Sequence, residues 1–300
     1  MASGFIIAPC LTGIVILLVG LWSVKKHWAA AKGVNWLILI GPVCFAAPLA
    51  LFGAEHIVSA QVIVEVVPRW MPWRFFWTYF VGLALIAAAV SIVLARLVRL
   101  SATLLSVMFF LFVAMVHAPR LLANPADRIS WAVLLRDLSF AAGAWALAAA
   151  QSATKSRTGG SRALAWIPRV LIAVALVDFG IQHILHPEFA PGVPLFPLTP
   201  AWVPFAKLWG YLVGSVLFVA GSALLVNWKS RFWAACVGGV MIFLTLFLYL
   251  PMFATATANF TLGMNVVADT LLFGGAVMLL APSAEGAMGP PASTSPGASI

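Results

Sequence analysis

Long apolar blocks alternate with short polar segments along the chain. A helix needs about 20 apolar residues to cross a hydrocarbon core roughly 30 Å thick, and these blocks have about that length. Backbone polar groups within lipid must be satisfied inside the segment, which favours helices over open sheets. We therefore predict an all-α membrane protein with nine transmembrane helices, at residues 5–24, 36–58, 74–95, 101–118, 130–150, 164–186, 204–226, 232–253 and 263–281.

Composition supports this class, and the distribution of charge adds an orientation. Hydrophobic residues make up 63% of the chain, charged residues make up 8%, and the mean hydropathy is +1.07. Lys and Arg collect in alternate connections, which predicts the cytoplasmic side of a cell (inner) membrane, with the N-terminus outside and the C-terminus inside. The formal charge of +9 then reflects topology and attraction to anionic lipid, and does not indicate nucleic-acid binding. The cationic connections contain Lys25, Lys26, Lys32, Arg96, Arg99, Lys155, Arg157, Arg162, Lys229 and Arg231.

An internal repeat organises the apolar blocks. The segment around His56 matches the segment around His183 at an offset of 127, and after a five-residue insertion the offset becomes 132. Each copy holds four helices, and an even number of crossings gives both copies the same orientation. We predict one extra N-terminal helix (1–30), two parallel-repeat four-helix bundles (33–150 and 160–281) and a disordered cytoplasmic tail (282–300) that is rich in Pro, Gly, Ser and Ala. The matched pairs include Phe52/Phe179, Gly53/Gly180, Glu55/Gln182, Pro68/Pro200, Trp70/Trp202, Tyr79/Tyr211, Gly82/Gly214, Pro119/Pro251, Asp137/Asp269 and Gly143/Gly275.

These motifs resemble the DoxX/DoxD family of small four-helix membrane proteins. The resemblance rests on an FGxxH-type helix end, a Pro and Trp turn followed by Tyr-x-x-Gly, a His or Tyr before Pro at the end of the third helix, and an acid early in the fourth. It covers residues 36–281 as two tandem copies. The family is associated with membrane oxidoreductase complexes, including a thiosulfate:quinone oxidoreductase, so the resemblance implies a connection to quinones and a redox partner.

Ionisable side chains within the blocks concentrate in the predicted outer half. His56 and His117 end their helices on that side, and Asp137 lies about 10 Å below the outer start of the fifth helix. Buried carboxylates are expensive in a membrane and need a partner or a proton. His56, His117 and Asp137 are the predicted catalytic residues. The predicted ligand-binding residues are Glu55, Trp70, Trp73, Tyr79, Arg120, Asp178, Gln182, His183, His186, Trp202, Tyr211, Tyr249 and Asp269.

Each candidate has a structural alternative. For the tryptophans, an interfacial aromatic belt is favoured over a platform that stacks a ligand ring. His56 and His183 can meet headgroups and water, and the two aspartates can form a hydrogen-bond network between helices. Asp178, Gln182 and His186 share a helix face by their spacing, and that face is predicted to be buried inside the second bundle.

The resemblance, together with these residues, implies a DoxX-like protein that holds a quinone or similar lipophilic ring near the outer leaflet, within an electron-transfer assembly. Proton uptake would use a histidine and a carboxyl group, and electrons would come from a partner protein. A non-catalytic subunit or lipid-binding scaffold is the alternative, and a small-solute transporter is disfavoured because the repeats are parallel. No haem, metal or nucleotide site is indicated, because the counterpart of His117 is Tyr249 and no metal or nucleotide motif is present.

Overall fold

Nine long helices form the structure, which is a computed structural model that describes residues 4–153, 166–195, 197–255 and 260–281. Within these ranges nine helices are long and apolar enough to cross a membrane, which confirms the predicted all-α membrane fold. The predicted tail 282–300 and the loop cations at 155, 157 and 162 lie outside the described residues. The helices are α1 Gly4–Val24, α2 Asn35–Val58, α3 Arg74–Val93, α4 Val98–Phe112, α5 Arg128–Ala153, α6 Trp166–Leu185, α7 Ala206–Leu225, α8 Ser230–Leu244 and α9 Phe260–Met278.

Helices α4 and α8 each run into a π-helical turn, at Val113–His117 and Thr245–Tyr249 respectively, and continue as the short helices Ala118–Ala123 and Leu250–Thr255. Each turn stops two residues before a proline, Pro119 or Pro251. A proline has no N–H to donate to the carbonyl four residues earlier, so the local hydrogen-bond pattern has to change. The two turns obey the 132-residue offset and therefore place His117 and Tyr249 at matching positions.

The helices from α2 to α9 pack as a closed ring. Each packs against the next, and α9 returns to pack against α2. Helices α5 and α9 also meet across the middle, so the ring divides into a first lobe (α2–α5 with α9) and a second lobe (α6–α9 with α5). Helix α1 lies outside the ring, mainly against α2. The division into units 33–150 and 160–281 stays a prediction, but the first helix of each unit packs against the last helix of the other.

The same close helix crossing occurs in both lobes. In the first lobe, a Cβ added at Gly53 of α2 would lie 2.6 Å from the carbonyl oxygen of Gly82 on α3. In the second, a Cβ added at Gly180 of α6 would lie 2.7 Å from the carbonyl oxygen of Gly214 on α7. Small residues let membrane helices approach until their backbones touch. Each crossing brings the histidine three residues after the first glycine against the neighbouring helix.

Candidate ligand-binding site

A buried ionic network lies where α4, α5 and α9 meet. The Arg136 guanidinium donates to Asp137 Oδ1 at 2.9 Å and to Asp269 Oδ2 at 2.6 Å. On the other side of Asp137, the Nε2–H of His117 donates to Oδ2 at 2.8 Å. Both carboxylates are buried, with 5% and 7% of Asp137 and Asp269 exposed. The chain of contacts thus runs from His117 through Asp137 and Arg136 to Asp269.

The formal charges of this network do not balance. One guanidinium faces two carboxylates, so the network carries one excess negative charge when His117 is neutral. An uncompensated charge is expensive at membrane depth. One additional proton within the network would balance its charge.

Asp127 caps the start of α5, the helix that carries Arg136 and Asp137 of the network. The Asp127 carboxylate accepts hydrogen bonds from the N–H groups of Ile129 at 3.2 Å and Ser130 at 3.0 Å. A further hydrogen bond from the Ser130 hydroxyl is the main cause of the lowered pKa of Asp127. Asp137 lies nine residues after Arg128, about 13 Å along α5.

Two further polar side chains, those of Asn265 and Trp77, each have a buried atom without a hydrogen-bond partner among the described residues. Asn265 Nδ2 donates to Glu55 Oε1 at 3.2 Å, which joins α9 to α2. Within the described part of the chain, the buried Asn265 Oδ1 and the buried Trp77 Nε1 have no hydrogen-bond partner. Buried polar atoms are rarely left unpaired. An indole N–H and an amide oxygen are therefore available to a polar group in this region.

All of these groups line one cavity of about 1290 Å³ in the first lobe. That volume exceeds the roughly 300–1,000 Å³ of a typical small-molecule site. The cavity continues from the polar groups along a cleft between α3 and α4, where apolar side chains such as Leu94, Leu100 and Leu104 are exposed on the surface that faces lipid. Its polar lining residues are Glu55, His56, Trp77, Thr78, His117, Arg136, Asp137, Asn265 and Asp269, with Ser91, Arg96 and Ser101 toward the opposite end.

The connection after α2 covers the cavity without entering it. Residues such as Val66 and Val67 of this connection line its predicted outer end. Arg74, at the start of α3, holds the connection by donating to the carbonyl oxygens of Val64 and Val67, and pairs with Glu65 at 3.7 Å. The space below the connection stays open to a ligand.

The longer connection after α6 instead enters the second lobe. Its residues 190–194 are buried. The Gly192 N–H donates to His183 Nε2 at 3.0 Å, and the Tyr249 hydroxyl donates to the Pro191 carbonyl oxygen at 2.8 Å. His183 is fully buried, which excludes the alternative that it meets headgroups and water.

Arg128 of α5 holds this inserted segment in place. Its guanidinium donates to the Pro194 carbonyl oxygen at 2.9 Å and to Gln182 Oε1 at 3.3 Å. It also lies over the Phe189 ring, 4.2 Å from the centroid. A residue of the first predicted unit thus fixes the connection that fills the second lobe.

The structure brings some of the sequence-predicted residues together and separates others. Glu55, His56, His117, Asp137 and Asp269 line the first-lobe cavity. His183 and Tyr249 are engaged by the chain's own connection in the second lobe. The remaining aromatic and cationic candidates are exposed and do not line that cavity: Trp70, Trp73, Tyr79, Arg120, Trp202 and Tyr211.

The predicted buried face of α6 is wrong at one position. Asp178 and Gln182 are hydrogen-bonded to each other, as their spacing predicts. His186 is exposed near Glu188, with 3.6 Å between Nδ1 and Oε1. The helix ends at Leu185, so His186 belongs to the connection and leaves the face that the spacing assigned to it.

Arg136 is the main residue that the sequence analysis missed. A guanidinium inside an apolar block and next to an acid was a usable signal, because such a cation needs a buried counter-ion. At the 132-residue offset its counterpart is Ala268, so a search for repeated residues passes over it. Asn265 and Trp77 gave no comparable signal, since an amide and an indole in apolar helices have many roles.

Comparison with known proteins matches part of the chain to a family model. The model of a domain of unknown function (DUF8561) matches residues 45–148, from within α2 to within α5. No curated protein and no solved structure matches the chain. The matched segment supplies four of the five helices around the first-lobe cavity, and α9 lies beyond it.

Proposed function

We propose that this integral membrane protein binds a quinone or a similar lipophilic ring in the first-lobe cavity, as part of an electron-transfer assembly. The observation that carries the proposal is the joining of two environments in one cavity. A buried polar network lies at the predicted outer end, and an apolar cleft open to lipid leads to it. This combination suits a molecule with a polar ring and a long apolar tail.

The residues around the cavity have the chemistry that a quinone ring requires. Reduction of a quinone consumes two electrons and two protons, so its oxygens need proton donors within hydrogen-bond reach. His117, hydrogen-bonded to Asp137, can hold such a proton beside the ring. In this proposal the electrons come from a redox partner protein. The resemblance to the DoxX/DoxD family supports the same chemistry.

A scaffold or lipid-binding subunit is the second candidate. It is favoured by the position of Arg136, which bridges α5 and α9 and therefore ties the last helices of the two predicted units together. A network with that role needs no ligand. In this case the cleft between α3 and α4 would hold ordinary membrane lipid.

Co-purified quinone separates the two candidates. The full-length protein is purified from native membranes in mild detergent, and its lipid extract is analysed by mass spectrometry. We expect stoichiometric quinone in the parent, none in a His56→Ala, His117→Phe double variant, and little change in His183→Ala. His186→Ala serves as the control because that side chain is exposed. A parent without quinone, or equal quinone in all variants, leaves the scaffold as the function.

The orientation is tested separately by cysteine labelling of intact cells. Single cysteines in 60–67 and 188–199 are expected to react with an impermeant reagent, whereas cysteines in 156–162 are expected to be protected. Labelling at 156–162 would place the polar end of the cavity in the inner leaflet.

A further inference from the structure

The chain itself fills, in the second lobe, the space that is a cavity in the first. His56 and His183 occupy matching positions, and each faces a glycine on the neighbouring helix. A Cβ added at Gly82 would lie 2.9 Å from the Cβ of His56, and a Cβ added at Gly214 would lie 2.9 Å from the Cβ of His183. His117 and Tyr249 end matching π-helical turns. The two lobes therefore present corresponding pairs of side chains to the space between their helices.

In the second lobe a single amide group fills the position between the pair. The peptide bond from Pro191 to Gly192 donates its N–H to His183 Nε2 and accepts from the Tyr249 hydroxyl at its C=O. His183 Nε2 also lies 3.1 Å from the Gly192 carbonyl oxygen, so it accepts from the Gly192 N–H in one tautomer and donates to the Gly192 C=O in the other. With Nε2 as the acceptor, the pair binds a group that is a donor on the histidine side and an acceptor on the side of the π-helical turn.

The first-lobe histidine at the matching position also has an acceptor free. His56 Nδ1 lies 2.8 Å from the Phe52 carbonyl oxygen and donates to it, so His56 Nε2 is left as an acceptor. His117 uses Nε2–H on Asp137, which leaves its Nδ1 as the ring nitrogen without a partner in the network. A ligand between them therefore needs a donor facing His56 Nε2.

We propose that the first-lobe cavity prefers a hydroxyl-bearing ring, the hydroquinone form of its ligand, over the oxidised quinone. One ring hydroxyl donates to His56 Nε2, and the other hydroxyl, which can donate or accept, bonds to His117 Nδ1. The oxidised ring has only acceptors and would place a carbonyl oxygen against the lone pair of His56 Nε2. This inference rests on the proposed function and specifies which redox form the resting site holds.

The test compares three probes of the same shape on the purified full-length protein. They are a decyl-substituted benzohydroquinone, the corresponding benzoquinone and the hydroquinone dimethyl ether, measured by anaerobic titration calorimetry in detergent. We expect the hydroquinone to bind about tenfold more tightly than either other probe, since one buried hydrogen bond separates them. His56→Ala should remove this advantage, and His186→Ala should keep it.

The outcomes distinguish the inference from the proposed function. Equal affinity of the hydroquinone and its ether, or tighter binding of the quinone, overturns the redox preference and leaves ring binding intact. Retention of the preference in His56→Ala removes His56 as the acceptor. Binding of none of the three probes overturns the proposed function together with the inference. The comparison of probes on the parent protein holds even where His56→Ala is poorly folded.

Discussion

The two lobes share a backbone plan and differ in what lies between their helices. Both have a glycine crossing, a buried or half-buried histidine and a π-helical turn before a proline. In the first lobe the space between these features is a cavity that opens to lipid. In the second, residues 190–194 of the chain fill it. The connection with the five-residue insertion thus fills, in the second lobe, the space that is open in the first.

The lobes also differ in buried charge. The first lobe contains Arg136 with its carboxylates, whereas the counterpart position on α9 is Ala268. Glu55 of the first lobe is replaced by Gln182 in the second. The open lobe thus has ionisable groups beside its cavity, whereas in the filled lobe the polar groups, such as Arg128, His183 and Tyr249, hold the connection. The buried ionisable side chains and the open cavity are therefore found in the same lobe.

The largest expected effect comes from removing the cation of the first lobe. Arg136→Leu leaves Asp137 and Asp269 buried without a counter-ion, and removal of one partner from a buried ion pair costs about 3–5 kcal/mol. Adding Asp269→Asn to this variant should recover part of the loss. The measurement is the apparent free energy of unfolding in detergent, with monodispersity as a second readout. Parental stability of Arg136→Leu alone would show that the carboxylates need no cation.

The shared crossing predicts equal effects in the two lobes. Gly53→Ala and Gly180→Ala each bring a Cβ against a backbone oxygen that cannot move aside, so we expect a loss of about 3 kcal/mol for both. Gly239→Ala is the matched control, because its Cβ would meet only the flexible Leu37 side chain, at 3.2 Å. Thermal unfolding of the three variants checks this. A clear difference between the first two would mean that the lobes are not built on one plan.

The matched histidines should respond unequally. His183→Ala deprives the buried Gly192 N–H of its acceptor and should cost about 2 kcal/mol. His56→Ala enlarges a space that is already open and should cost less than about 1 kcal/mol. Both are compared with the parent by unfolding in detergent without added ligand. The reverse order would indicate that the first-lobe cavity is the more tightly packed one.

The smallest effect concerns the hydroxyl that holds the inserted connection. Tyr249→Phe leaves the Pro191 carbonyl oxygen without its donor and should cost about 1 kcal/mol. Limited proteolysis should also cleave the connection after α6 faster in this variant. Tyr211→Phe, at an exposed position, is expected to change neither measurement. Identical proteolysis of Tyr249→Phe and the parent would show that Arg128 and His183 retain the connection without the Tyr249 hydroxyl.

The sequence by itself determined the class of fold and the repeated positions. Apolar block length sets the nine helices, because lipid forces every backbone polar group to be satisfied within its own segment. The pairs Gly53 and Gly180, and Pro119 and Pro251, have the same role in each copy. They can therefore be recognised in the sequence as residues repeated at a constant offset. Carboxylates inside apolar blocks indicated the polar cluster in the same way. The free-energy cost of burying a carboxylate depends on its depth in the membrane, which the sequence position gives.

Only the tertiary structure decided which of these groups meet. Arg136 bonds to Asp269, 133 residues away, and no periodicity links them. The return of α9 onto α2 places Asn265 beside Glu55, which depends on how the two halves close into a ring. The burial of Gly192 in the second lobe likewise depends on the space left between α6 and α8. Such contacts arise from packing between distant segments, whereas periodicity reports only what each segment does alone.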